Sequence, residues 1–130
     1  ANGMRAVDTK IVVRLIIRDD ARQAAAADAY IARGAWVSCL TLAEAAWVLR
    51  SVYDFAAPKI AQTIRMLLQH DKLVLQDFDA VSTALERYRK HPAISFADCL
   101  ILETARKAGH LPLGAFDRAL GRAEGVARLG

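Results

Sequence analysis

Four acidic residues occupy places in the sequence from which they could act together. Asp8 and Asp117 each end a short apolar stretch, and Glu44 and Asp98 each lie near the start of a helix-like run. Carboxylates held a few ångströms apart repel each other and raise each other's pKa unless a cation lies among them. Oxygen ligands without His or Cys favour Mg²⁺ or Mn²⁺ over Zn²⁺. Such an ion can generate hydroxide from water and stabilise charge on a phosphodiester, which is nuclease chemistry.

Each acid also has a structural explanation. Glu44 and Asp98 each follow a hydroxyl side chain by three residues, which is the spacing of a capping box. Asp8 and Asp117 fit the N-caps of the helical segments that follow them, and a helix N-terminus favours an acid whatever its function. A single acid therefore does not distinguish a metal site from a helix start, whereas convergence of all four on one edge of a small sheet favours the metal.

The elements that must position these acids alternate along the chain. Apolar stretches predict strands at residues 5–8, 36–39, 73–75 and 111–115, with a small edge strand within 125–130. Apolar spacing and caps predict helices at residues 11–18, 21–33, 41–52, 58–70, 77–90 and 95–108. This alternation indicates an α/β fold, which we expect to be a three-layer α/β/α sandwich around a small central parallel sheet of four to five strands. Sites in such sheets form beyond the carboxyl ends of the strands, where Asp8 and Asp117 lie. Asp98 has no strand directly before it.

Composition narrows the class of protein further. The chain has 130 residues, of which 55% are hydrophobic and 25% charged, as expected for one globular domain. We expect that domain to be residues 4–130, with residues 1–3 left from a cleaved tag. No apolar run approaches the roughly 18 residues that span a bilayer, and no secretory h-region is present, so we expect a cytoplasmic protein with no membrane partner. The net charge of +4 favours polyanionic partners.

Short motifs around the acids occur in a fixed order: Asp8-Thr9, Ser38 to Leu42-x-Glu44, Phe96-Ala97-Asp98 and Phe116-Asp117. This ordered set resembles the PIN-domain family, specifically the VapC-type toxins of bacterial toxin–antitoxin pairs, over nearly the whole chain from Met4. The resemblance implies a Mg²⁺- or Mn²⁺-dependent endoribonuclease that forms a homodimer and is inhibited by a cognate antitoxin. It implies that Asp8, Glu44 and Asp98 are the three core acids and that Asp117 is the more variable fourth. In the resulting hypothesis we expect Thr9 to hydrogen-bond within the cluster.

Lys10 and Ala115 depart from the family pattern. Lys10 replaces the usual Asn of the first motif, and Ala115 replaces the usual Thr before the fourth acid. The Lys10 ammonium could pair with the acids in place of a metal, or it could point outward towards phosphate; we favour the outward position. These departures motivate an alternative function, a catalytically impaired binding module that holds RNA or an antitoxin without cleavage. A third hypothesis is a phosphoacceptor regulator of similar build, phosphorylated at Asp8.

The pattern of basic and aromatic side chains gives weaker predictions of RNA contacts and of the core. Lys10, Arg14 and Arg18 would form a stripe on one helix face at i, i+4 and i+8, and with Arg118 and Arg122 they could hold an RNA backbone. Solvated charge on helix faces is the alternative explanation. Four aromatic residues are expected in the core, with base-stacking platforms as the alternative, namely Trp36, Trp47, Phe55 and Phe96. The surplus of apolar helix faces could form a dimer interface and an antitoxin groove.

Overall fold

The computed structural model describes residues 3–130, and the chain divides after Phe78 into an N-terminal unit and a C-terminal unit. The described residues form six α-helices and five β-strands. In chain order these are β1 (Arg5–Ala6), α1 (Thr9–Ile16), α2 (Ala21–Ile31), β2 (Ala35–Val37), α3 (Cys39–Ser51), α4 (Ala57–Gln69), β3 (Leu73–Leu75), α5 (Phe78–Lys90), α6 (Phe96–Ala108), β4 (Leu113–Ala115) and β5 (Val126–Arg128). None of these helices combines the length and the apolar character needed to cross a bilayer.

The N-terminal unit contains a three-stranded parallel sheet with β2 in the middle. Ala35 of β2 pairs with Arg5 of β1 on one side and with Leu73 of β3 on the other. Helices α1 and α2 connect β1 to β2, and α3 and α4 connect β2 to β3, as parallel strands require. Ala35 and Val37 are fully buried, so apolar side chains cover the central strand. The carboxyl end of β1 leads directly to Asp8.

Helix α3 begins two residues earlier than the sequence predicted. Ser38, and not Thr41, is its N-cap, because the Ser38 hydroxyl accepts a hydrogen bond from the Thr41 backbone N–H at 3.0 Å. A hydroxyl at position 38 supplies the acceptor that an N-cap needs, so the helix begins before Thr41 can take that place. The capping-box explanation for Glu44 is therefore wrong, because Glu44 lies in the second turn of α3 rather than at its start.

The C-terminal unit packs α5 and α6 with a second, smaller sheet. Strands β4 and β5 pair in parallel, with Leu113 opposite Val126, and a 3-10 turn at Leu120–Arg122 lies in the connection between them. Helix α6 begins after the N-cap Ser95 and ends at Gly109, whose φ of 84° suits glycine, as the sequence predicted.

Comparison with the expected architecture confirms the α/β class and the order of the elements. Parallel strands alternate with helices, and all five expected strands form. The strands are shorter than expected, and they pair as one sheet of three and one of two rather than as a single sheet of four to five. Strand length explains part of this difference, because two or three residues offer few ladder hydrogen bonds.

The expected aromatic core is only partly correct. Phe55 and Phe96 are buried, with 7% and 2% of their surface exposed, and Trp36 is half-buried. Trp47, however, is 65% exposed, so its placement in the core is wrong. Position 47 lies on the face of α3 opposite its buried residues, so helical spacing favours exposure there, and only the residue type favoured the core.

Candidate functional site

Asp8 and Glu44 belong to the N-terminal unit, where Thr9 connects the start of α1 to the middle of α3. Asp8 follows β1 and caps α1, its Oδ1 accepting a hydrogen bond from the Ile11 backbone N–H at 3.2 Å. The next residue, Thr9, donates its hydroxyl to Oε1 of Glu44 at 2.9 Å. Asp8 and Glu44 are both exposed, so their remaining carboxylate oxygens face solvent. Thr9 therefore holds Glu44 against the turn that presents Asp8.

Asp98 and Asp117 belong to the C-terminal unit and interact electrostatically. Burial raises the pKa of Asp98 above its ordinary value, and the negative charge of Asp117 raises it further, while a hydrogen bond with Ser95 opposes both effects. The Asp98 backbone N–H also donates to Oγ of Ser95 at 3.1 Å, the contact expected of the cap. Asp117 accepts from the Leu120 backbone N–H through Oδ2 at 2.8 Å. A carboxylate whose charge is disfavoured by burial and by a neighbouring carboxylate is a common feature of functional sites.

The structure thus places the four predicted acids as two pairs, one in each unit.

Capping explains only part of each acid's environment. Asp8 and Asp117 each accept a helix-start or turn hydrogen bond through the carboxylate, as the structural explanation required, whereas Asp98 donates its backbone N–H to the cap Ser95. Glu44 makes no such contact and bonds to a side chain of another helix instead. Its place is therefore explained by Thr9 and not by the helix that carries it.

Lys10 lies in the first turn of α1 and is exposed. Within residues 3–130, its ammonium forms no hydrogen bond or ion pair with a carboxylate of the protein. Lysine carries its charge on a long flexible stem, which can extend the ammonium into water. The side chain is therefore available to an anionic partner.

The predicted stripe of basic residues on α1 is wrong for Arg18, whereas Lys10 and Arg14 both lie in the helix. Helix α1 ends at Ile16, so Arg18 lies beyond it and shares no helix face with Lys10. Arg18 forms a two-pronged ion pair with Asp28 of α2, and Arg14 donates Nη1 to Asp19 at 2.9 Å. Spacing could not reveal these partners, because Asp19 and Asp28 belong to the following loop and helix. Arg118 is exposed and has no ion-pair or hydrogen-bond partner in the described part of the chain.

Two exposed aromatic residues next to the acids were not identified as functional from the sequence. Phe116 directly precedes Asp117 and is 76% exposed, and Trp47 lies one helical turn after Glu44 and is 65% exposed. Adjacency to an acid was the available sequence signal. The exposure of Trp47 was indicated by its position opposite the buried face of α3, but that of Phe116 was not, because apolar residues are normally expected inside the protein.

The acids fit a hard divalent cation by the chemistry of their oxygen atoms. Mg²⁺ keeps several waters and is usually held by one or two carboxylates rather than by a complete protein cage. The Asp98 and Asp117 pair supplies such ligands, and burial together with the charge of Asp117 raises the pKa of Asp98. Across residues 3–130, no three His, Cys, Asp or Glu side chains group closely enough to hold a metal ion by themselves.

Comparison with known proteins places this arrangement in a family. A family model for the PIN domain matches residues 5–126, which include all four acids and both compact units. No curated protein and no solved structure matches the chain. PIN domains are generally nucleases that act on nucleic acid with divalent metal ions. Since the match covers nearly the whole sequence, this chain belongs to the PIN domain family.

Proposed function

We propose that this protein is a metal-dependent endoribonuclease and the toxin of a cytoplasmic toxin–antitoxin pair. The hydrogen bond from Thr9 to Glu44 carries the proposal, because it fixes one predicted core acid beside the turn that presents another. A capping role does not require this contact. The PIN domain match supports nuclease chemistry, and the resemblance of the ordered motifs to VapC-type toxins supports RNA as the substrate and a toxin role.

In this proposal Asp8, Glu44, Asp98 and Asp117 are the ligands of one or two Mg²⁺ or Mn²⁺ ions. The bound metal supplies hydroxide from water and stabilises negative charge on the phosphodiester. Thr9 keeps the Glu44 carboxylate in a fixed orientation by donating to Oε1. Burial and the charge of Asp117 raise the pKa of Asp98, which would ligate a metal ion as the carboxylate.

Cleavage of labelled RNA tests the proposal. Wild-type protein with Mn²⁺ at neutral pH should cut a single-stranded RNA, and EDTA should stop the reaction. Asp8→Asn and Asp98→Asn should abolish cleavage, whereas Asp71→Asn, which changes an exposed acid of the turn before β3, should not. Absence of cleavage by the wild type, or equal cleavage by the Asp8 and Asp98 variants, contradicts the proposal.

Lys10 favours a second candidate function, a PIN-fold module that binds RNA or an antitoxin without cutting. An exposed lysine replaces the Asn of the family pattern two residues after the predicted acid Asp8, and its positive charge would oppose the binding of a cation nearby. Titration calorimetry with Mn²⁺ distinguishes the two functions. A binding module should take up no metal until Lys10→Asn restores the site, whereas a nuclease binds metal unaltered.

We also propose a homodimer and a cognate antitoxin as partners. Helix α3 supports this, because Leu40 and Trp47, separated by two helical turns, are 72% and 65% exposed. Exposed apolar residues on one helix face suit burial by another protein. Light scattering should give twice the monomer mass, and Trp47→Lys should reduce it or weaken antitoxin binding. Unchanged mass and unchanged antitoxin binding in that variant would exclude α3 from both surfaces.

A further inference from the structure

Phe116 occupies an unusual position for a large apolar side chain. It follows the last residue of β4, and at 76% it has the largest exposed fraction among the large hydrophobic residues that the structure describes. Burying a phenylalanine side chain stabilises the folded state, and Phe116 forgoes most of that gain. Folding of the C-terminal unit therefore does not account for an aromatic ring at this position.

The backbone on both sides of Phe116 is fixed. The Leu129 N–H donates to the carbonyl oxygen of Ala115 at 2.8 Å, which continues the β4–β5 pairing to the residue before Phe116. The Leu120 N–H donates to Oδ2 of Asp117 at 2.8 Å, which closes the turn after it. A ring held on a fixed backbone loses little conformational freedom when it binds a partner.

The neighbours of Phe116 in the sequence supply the chemistry of a nucleotide site. Asp117, the next residue, acts electrostatically on Asp98, which places the segment beside one of the two acid pairs. Arg118, the residue after that, is exposed and forms no ion pair or hydrogen bond in residues 3–130. Sites for single-stranded nucleic acid combine an aromatic face, on which a base stacks, with a cation that contacts the backbone phosphate.

We propose that Phe116 is a stacking platform for an unpaired base of the RNA substrate, with Arg118 contacting the adjoining phosphate. This inference rests on the proposed ribonuclease function and adds to it a residue that contacts a base of the bound RNA. A base in a duplex is already stacked on both faces and cannot cover the ring. The platform therefore selects unpaired RNA and fixes one nucleotide next to the acids.

Fluorescence anisotropy with a short, labelled single-stranded RNA of mixed sequence tests this, in EDTA so that cleavage does not interfere. Phe116→Ala should weaken binding by about tenfold, since stacking on an aromatic side chain is worth that much per base. Phe116→Trp should retain binding, and Phe116→Leu should behave like the alanine variant. Met66→Ala is the matched control, because Met66 is also exposed, at 49%, but lies on α4, which carries none of the acids.

A second probe separates stacking from a change in folding. An RNA of the same length with abasic nucleotides keeps its phosphates but offers no ring to stack on. Wild type should bind this RNA more weakly than normal RNA, and Phe116→Ala should cause no further loss. Photo-crosslinking of 5-iodouridine RNA should in addition label the tryptic peptide of residues 108–118 in the wild type and not in Phe116→Ala.

The outcomes distinguish this inference from the proposed function. Equal RNA binding by wild type and Phe116→Ala overturns the platform even if the wild type cuts RNA. Equal loss on normal and abasic RNA also overturns it, as does failure of the wild type to bind single-stranded RNA. Loss restricted to RNA with bases, in a protein that does not cut RNA with Mn²⁺, supports the platform and rejects the nuclease.

Discussion

The Thr9 hydroxyl lies 2.9 Å from Oε1 of Glu44 and donates a hydrogen bond to it. The two residues are 35 positions apart in the sequence, and the bond joins the first residue of α1 to the second turn of α3. Hydrogen bonds with a charged partner are stronger than neutral ones. This contact therefore gives Thr9 a positioning role for a predicted core acid.

Thr9→Val should lower cleavage while leaving the fold intact. Valine keeps the branched shape of threonine but cannot donate, so Glu44 loses its side-chain partner. A hydrogen bond to a charged group is worth about 1.5–3 kcal/mol, and partial exposure reduces this value, so we expect a loss of about tenfold in kcat/KM. Thr9→Ser keeps the donor and should retain most activity. Equal losses in both variants would show that the hydroxyl is not what matters.

Asp117→Asn should lower the pKa of Asp98, measured by NMR titration in the absence of metal. Burial and the charge of Asp117 raise the pKa of Asp98, and the substitution removes the second cause but not the first. A raised pKa means that the folded state binds the proton more strongly than the unfolded state. Asp98 therefore favours folding more as pH falls through its folded pKa and less above it, so the substitution should reduce this pH dependence.

Glu86→Gln is the control for that titration. Glu86 is an exposed carboxylate of α5 in the same unit, and it makes no contribution to the pKa of Asp98. This control should leave the Asp98 titration unchanged. A shift of equal size in both variants would assign the effect to overall charge. An unchanged Asp98 pKa in Asp117→Asn would show that Asp117 does not raise the pKa of Asp98.

The sequence predicted helix ends well where the residues that determine an end lie within a few positions of it. Ser95 and Gly109 fix the ends of α6 through contacts within a few residues, and both were identified from the sequence. The start of α3 was placed wrongly because Ser38 and Thr41 are both good caps, and only the chain's path after β2 decides which hydroxyl meets the helix.

The environment of the site depends on contacts that no local pattern encodes. Glu44 reaches Thr9 across 35 positions, and Arg18 reaches Asp28 on another helix. The four acids could be named from their order, but their partners could not. Exposure of Phe116 was equally hidden, because a sequence shows that a ring is apolar and not whether other residues cover it.

The salt dependence of RNA binding should distinguish basic side chains that have no partner in the protein from those that already form an ion pair. Each lost phosphate contact reduces the slope of log K against log salt by about one. Lys10→Ala and Arg118→Ala remove unpaired cations and should each reduce the slope by about that amount. Arg18→Ala should change it less, because Asp28 already binds both arms of that guanidinium. A larger effect from Arg18 than from Arg118 would contradict this assignment.

Glu103→Gln should destabilise the protein by about 3–5 kcal/mol, measured by urea unfolding. Glu103 is only 4% exposed, and its carboxylate accepts from Nε of Arg87 at 3.0 Å and lies 3.4 Å from Nε of Arg106. Removing the negative charge leaves the partly buried Arg87 guanidinium uncompensated, which costs more than the pair contributed. Glu86→Gln supplies the matched control, because Glu86 pairs with Arg89 at 3.8 Å on an exposed surface and should change stability by less than about 1 kcal/mol. Equal effects of the two substitutions would mean that water stabilises the charge of the Arg87 guanidinium to the same extent as the Glu103 carboxylate does.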